Sequence, residues 1–171
     1  MVDVILVDEN DIKIGLKEKI AAHKDANLHR AFSLLIYNSK GDMLLHKRAE
    51  SKYHGGGLWT NACCSHPLDG ELVSDAVHRR TKEELGYTHL QLEKLFEYMY
   101  KVGFDNGLYE HEYLHVYKAF TDKEPPQLDP NEVSQTKWVS ISELVVDTQN
   151  NPALYSPWFL LTLKEMQKRN V

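Results

Sequence analysis

The stretch Glu71-Leu72-Val73-Ser74-Asp75-Ala76-Val77-His78-Arg79-Arg80-Thr81-Lys82-Glu83-Glu84-Leu85-Gly86 carries a helical period. Val73, Ala76 and Val77 share a face, and Gly86 follows as a C-terminal stop. A helix from about Leu72 to Leu85 is therefore expected. On its polar side Arg80 and Glu84 stand four apart, as do Arg79 and Glu83. As plain surface ion pairs these are worth ~0.3–0.5 kcal/mol each. As a functional face they would hold a metal–phosphate group.

Upstream of this helix, Trp59 to Cys64 reads as extended, and Ser51 to Gly57 is a loop with three consecutive glycines. Leu28–Asn38 and Met43 to about Lys47 are strands around the turn Ser39-Lys40-Gly41-Asp42, and together they read as a hairpin. Val4–Val7 is a further short strand. Downstream, Leu92–Lys101 and Glu110–Phe120 are strands separated by Asp105-Asn106-Gly107. Thr136–Val139 reads as a short strand, Ile141–Val146 as a short helix and Trp158–Arg169 as a longer one. The Pro-rich patch from Glu124 to Pro130 is a loop between elements, and there is no internal repeat. Strands with isolated helices, lacking strict alternation, predict an α+β fold. The expected architecture is a mixed β-sheet sandwich flanked by helices, one domain over residues 1–171.

Composition bounds the partners. The chain is 42% apolar and 26% charged, ordinary for a globular domain, with a net charge of −5. That balance argues against a general nucleic-acid binder, so an anionic ligand must be held by local Lys and Arg or by metal. The only two cysteines, Cys63 and Cys64, are adjacent. Neighbouring Cα atoms lie about 3.8 Å apart, whereas a relaxed disulfide wants roughly 4.4–6.8 Å. Reduced thiols and a cytoplasmic location follow as the expectation. Residues Met1 to Asp8 show no basic region followed by a long apolar stretch, so no signal peptide is expected. No apolar run approaches the ~20 residues that span a bilayer, and no membrane role is expected.

Three constellations carry chemistry. In Thr60-Asn61-Ala62-Cys63-Cys64-Ser65-His66-Pro67, alternation puts Cys64 and His66 on one side and Cys63 on the other, packed as a small hydrophobe. In Glu110-His111-Glu112-Tyr113-Leu114-His115, Glu110 and Glu112 face one way and His111 and His115 the other. Two carboxylates on one face mark either an exposed strand end or a metal site. His23 and His29 precede the first hairpin strand. Together His23, His29, His66, Glu110 and Glu112 form a nitrogen and oxygen set suited to a five- or six-coordinate divalent ion. There is no dinucleotide glycine fingerprint, so no redox cofactor is expected.

The helix resembles the Nudix box, with Glu71, Arg79, Glu83, Glu84 and Gly86 at its spacings. Ser65 stands where the leading glycine belongs, and Arg80 replaces the first acidic residue of the Arg-Glu pair. From about Leu16 to Lys168 the chain is similar to the metal-dependent, Nudix-fold type 1 isopentenyl diphosphate isomerases. The likeness rests on Ala21-Ala22-His23 with Leu28-His29, Lys47-Arg48-Ala49 with Ser51-Lys52, and Trp59-Thr60-Asn61. It continues through Cys64-Ser65-His66-Pro67, Asp75-Ala76-Val77, Glu84-Leu85-Gly86, Glu110-His111-Glu112 and Ser156-Pro157-Trp158.

The resemblance implies interconversion of isopentenyl and dimethylallyl diphosphate for isoprene biosynthesis. It assigns His23, His29, His66, Glu110 and Glu112 to one divalent ion, Mn²⁺, Mg²⁺ or Zn²⁺, and Glu84 to a Mg²⁺ riding on the substrate diphosphate. Cys64 and Glu112, assisted by Tyr100, become the proton-transfer groups. Lys19, Arg48, Lys52 and Arg80 match cations that neutralise the diphosphate, and Trp158 matches an aromatic lid. The chain departs from the pattern in a His23–His29 interval one residue shorter than in some members, in Ser65, and in Gly55-Gly56-Gly57 where Trp-Pro-Gly often stands. The partner is a small isoprenoid diphosphate, and the chain is expected as a monomer or homodimer. The alternatives are a Nudix-type metal-dependent diphosphate hydrolase and a non-catalytic binding module.

Overall fold

The structure is a computed structural model describing residues 2–171. In chain order its elements are β1 (Asp3–Val7), β2 (Lys13–Glu18), α1 (Lys19–Lys24), β3 (His29–Tyr37), β4 (Met43–Arg48), β5 (Trp59–Asn61) and β6 (Cys63–Ser65). There follow α2 (Val73–Leu85), β7 (Glu93–Gly103), β8 (Tyr109–Phe120), β9 (Val133–Val139), α3 (Ile141–Asn150) and, after one 3-10 turn, α4 (Pro157–Arg169).

The longest β-branched and aromatic runs find each other. β3 pairs with β8 in parallel, from His29 opposite Glu112 to Tyr37 opposite Phe120. β7 returns antiparallel along β8, and β6 pairs with β3. β4 lies between β9 and β5, and β1 links the β2 edge to β3. The sheet is mixed and helices cover both faces, the α+β sandwich expected from the sequence.

Period-two alternation divides β3 between two cores. Phe32, Leu34 and Ile36 pack with Ala76, Val77 and Leu85 of α2. Ala31 and Leu35 pack on the other face with Leu144 of α3 and Phe159 of α4. Cys63, fully buried, joins the α2 side. The helix stop at Gly86 has φ +77, and a Cβ there would meet the Gln127 backbone nitrogen at 2.8 Å. Among the described residues no helix is long and apolar enough to cross a membrane.

Three local expectations change. The β3–β4 hairpin opens at once: only Tyr37 pairs with Met43, after which β3 turns to β6 and β8 while β4 turns to β5 and β9. β9 and α3 are longer than expected, and β2 and α1 were not anticipated. β2 buries no side chain, so no alternation marks it. α1 is a six-residue helix held by the Glu18 carboxylate, which accepts from the Ile20 and Ala21 backbone N–H groups.

Candidate active site

Strand register assembles the first row of the site. His29 on β3 faces Glu112 on β8, and Glu112 faces Tyr100 on β7. The Tyr100 hydroxyl donates to Glu112 Oε2 at 2.6 Å. Two residues back on β8, Glu110 meets His23, carried in by α1, with His23 Nε2 3.1 Å from Glu110 Oε2. β6 delivers Cys64 opposite Ser33, and His66 follows with Nε2 3.2 Å from both His29 Nε2 and Glu112 Oε1.

Ring protons can be placed from these partners. His23 Nδ1 lies 2.6 Å from the Lys19 carbonyl, and His29 Nδ1 lies 2.9 Å from the Asn27 carbonyl. A carbonyl only accepts, so both Nδ1 atoms carry a proton, and in the neutral rings both Nε2 atoms present lone pairs. Those lone pairs converge: ligand atoms of His23, His29, His66 and Glu110 all lie within 4.8 Å of one another. His23 Nε2 and Glu110 Oε2 are buried without a hydrogen-bond partner among the described residues. Buried acceptors facing acceptors are costly unless a cation lies between them. The cluster fits a divalent ion, and three imidazoles with carboxylate suit a first-row metal. Glu112 Oε1 stands beside it, 3.8 Å from His29 Nε2.

Electrostatics separate the two carboxylates. Burial and the charge of Glu110 raise Glu112 well above the usual range. Burial works on Glu110 too, but His23 and His54, in their protonated forms, prevail and hold it well below. Burial lowers His29 to about 4. It pushes the Cys64 thiol up to about 12, against hydrogen bonds to Ser33 and Asn61. The Cys64 thiol donates to Asn61 Oδ1 at 3.0 Å, and the Asn61 amide is fixed by donation to Ser33 Oγ and the Leu34 carbonyl.

Cys64, His66, Tyr100, Glu110 and Glu112 open onto one cleft of about 450 Å³, within the size range of small-molecule sites, with His23 and His29 buried behind them. Lys19, Arg48, Lys52 and Arg80 line it, with Trp158 as a wall. Glu84 is also on the cleft, but on α2 and outside the histidine cluster. Burial raises its carboxyl to about 7, while Arg80 Nη2 donates to its Oε1 at 2.7 Å. Trp158 is a pinned ring, 5% exposed. Its Nε1 donates to Thr60 Oγ1 at 3.2 Å, and the Arg48 guanidinium lies 5.0 Å from its centroid. The aromatic lid of the sequence reading is thus a buried wall here. Gly55 makes room for it: φ is +58, and a Cβ would sit 2.9 Å from Trp158 Cη2.

Glu132 and His54 are among the cleft residues that escaped the sequence reading. Glu132 accepts from Lys52 at 2.5 Å and lies 3.2 Å from Arg80 Nη2, yet no motif surrounds it before β9. His54 Nε2 lies 2.5 Å from Glu110 Oε1, and its place beside the glycine run was the only available signal.

The NUDIX domain family model matches residues 27–159, which sets the class of protein to which this fold and cleft belong. DR0079 from Deinococcus radiodurans superposes with a TM-score of 0.77 at 20% identity, over 95% of this chain and 98% of that one, a likeness of fold. Among curated relatives, the isopentenyl-diphosphate Delta-isomerase of Pectobacterium atrosepticum is 46% identical over 95% of this chain and 89% of its own. Isopentenyl-diphosphate Delta-isomerase 2 of Aromatoleum aromaticum is 45% identical over 94% and 84%. The chain belongs to the Nudix-fold isopentenyl-diphosphate Delta-isomerase family.

Proposed function

We propose that the protein interconverts isopentenyl and dimethylallyl diphosphate by adding one proton and removing another, with Cys64 and Glu112 as the proton-transfer groups. The observation that carries this reading is that Cys64 and the Glu112–Tyr100 pair open onto the same cleft as Lys19, Arg48, Lys52 and Arg80. Protonating an unactivated alkene makes a tertiary carbocation, which needs an acid, a base and shelter from water. Cys64 and Glu112 supply two different titratable groups, and Tyr100 orients Glu112. The Trp158 wall offers a cation–π contact worth roughly 0.5–2 kcal/mol.

Lys19, Arg48, Lys52 and Arg80 receive the diphosphate, Lys52 and Arg80 exchanging their hold on Glu132 for it. His23, His29, His66, Glu110 and Glu112 hold one divalent ion, Mn²⁺, Mg²⁺ or Zn²⁺, and Glu84 holds a Mg²⁺ that accompanies the diphosphate. When bound, these ions supply positive charge against the carboxylates and the substrate. On this reading the enzyme works in the cytoplasm, where Cys64 stays a thiol.

The test is incubation of purified protein with isopentenyl diphosphate and divalent metal in D₂O. Deuterated dimethylallyl diphosphate is the expected product, lost in Cys64→Ala with its circular dichroism unchanged. Unchanged turnover in that variant removes the role given to Cys64. Release of phosphate or pyrophosphate without an allylic product replaces the isomerase by a hydrolase.

A further inference from the structure

His54 is buried at the cleft, 7% exposed, and the reaction above gives it no task. It sits in the loop between β4 and β5, its ring stacked on Phe104 at 5.0 Å and 11° and leaning on Trp158 at 5.4 Å. With both faces packed, the ring has little freedom, and its two nitrogens point at different machinery.

One nitrogen fixes the proton on the other. His54 Nδ1 lies 3.5 Å from Arg48 Nη2, and that guanidinium nitrogen also donates to the His54 carbonyl at 3.2 Å. A guanidinium has no acceptor, so Nδ1 contributes its lone pair and the ring proton sits on Nε2. Nε2 faces Glu110 Oε1 at 2.5 Å. The two are close but not aligned for a full hydrogen bond, and Nε2 has no other partner among the described residues. A protonated ring nitrogen cannot ligate a metal, and His54 is not among the four residues whose ligand atoms gather within 4.8 Å. The Glu110 oxygens are thereby divided: Oε1 belongs to His54, and Oε2 lies 3.1 Å from the bare Nε2 of His23.

We propose that His54 is a positioning residue for the cation centre, holding Glu110 so that Oε2 alone faces the ion and tying that carboxylate to Arg48. The role rests on the reading of the His/Glu cluster as a divalent site. It follows the general pattern in which a ligating carboxylate is oriented by a hydrogen-bond donor behind it. The same ring touches Arg48 and Trp158, so the cation centre and one diphosphate-binding cation share a support.

The test uses the metal-stripped full chain titrated with Co²⁺, followed by calorimetry and by visible absorption. His54→Phe keeps the stack and removes both nitrogens, while His54→Gln restores an N–H donor. His54→Phe is expected to weaken Co²⁺ binding by about 10–100-fold. Its saturated spectrum should match wild type, because no ligand is lost, and His54→Gln should recover most of the affinity. If the phenylalanine variant does not fold, His54→Leu takes its place against His54→Gln.

Wild-type affinity in His54→Phe overturns the proposal. So does a saturated spectrum changed in band intensity, which would make His54 a ligand, or a glutamine variant as weak as the phenylalanine one. Wild-type protein that takes up no Co²⁺ overturns the cation site and this role together. Absence of isomerase turnover defeats the proposed function while leaving the Co²⁺ isotherm to judge His54.

Discussion

At the start of β8, Glu110 Oε2 and His23 Nε2 lie buried 3.1 Å apart with no hydrogen-bond partner among the described residues. Across the same cleft, on α2 and at Glu132 just before β9, the carboxylates are answered by the protein itself: Arg80 reaches Glu83 at 2.6 Å, Glu84 at 2.7 Å and Glu132 at 3.2 Å. One end is chemically complete only with a cation added. At the other end the carboxylates are paired as folded, while Arg80 Nε is buried without a partner among the described residues, and an anion finds a place by exchange when Lys52 and Arg80 release Glu132. The difference bears on the choice of chemistry. On the helix that resembles the Nudix box, Arg80 stands where an acidic residue belongs, and it neutralises Glu83 and Glu84. A hydrolase would need the full set of box carboxylates for metal, and Arg80 removes one of that set; the isomerase reading asks only Glu84 for the diphosphate-borne ion and keeps its other metal-ready groups at the far end, beside Glu112 and Cys64.

The most forceful way to break this comparison is to remove a ligand from the incomplete end. His23→Ala is expected to lower isomerase turnover by about 10³-fold, the several kcal/mol that a bound ion contributes to charge stabilisation. It should also abolish the rise in melting temperature that divalent metal gives the wild type, an increment of about 2.7 kcal/mol at a hundred times the Kd. Thermal melts with metal and with chelator, alongside the turnover assay, decide it. A metal-dependent rise that survives in His23→Ala places the cation elsewhere.

What the sequence disclosed follows the reach of its signals. α2 was readable because Val73, Ala76 and Val77 share a face and Gly86 ends it, all within one local window. β8 was readable because Glu110 and Glu112 alternate with His111. α1 was not, since six residues are too few to display a helical period, and so nothing local announced that His23 would be fully buried. The opened β3–β4 hairpin shows the same limit: the turn at 39–42 is a local fact, while partner choice is settled by β8 and β9 far along the chain. Glu132 and His54 acquire their meaning only from long-range contacts. Even the glycine run, which read as freedom, is fixed by Trp158 packing against Gly55.

A histidine that the fold itself completes sharpens the contrast. His46 on β4 is 2% exposed and donates from Nδ1 to the Ala62 carbonyl at 2.8 Å. Burial holds it down to about 4, although that hydrogen bond opposes the shift. The unfolded chain takes up this proton near pH 6.5, so between there and about pH 4 the unfolded state binds more protons and stability falls with acid. The loss from this one group is about 3 kcal/mol, levelling off below pH 4. Urea midpoints from pH 7.5 down to 4.5 should show a shallower decline in His46→Asn than in wild type. Parallel declines would mean that His46 is not held neutral by its surroundings.

The smallest effects lie within α2, where one arginine serves two carboxylates of different burial. Glu84 is 3% exposed, whereas the Glu83 side chain is 45% exposed. Removing Glu83 deletes its solvent-screened pairs with Arg79 and Arg80, and Glu83→Ala should change stability by less than about 1 kcal/mol. Removing Arg80 leaves a buried carboxylate without its donor, which costs about 2 kcal/mol. Urea unfolding at pH 7.5 with equal m-values gives both numbers. Equal losses in the two variants would mean that burial does not set the worth of these pairs. The self-completed end of the cleft would then be an ordinary surface, and its contrast with the histidine cluster would rest on charge count alone.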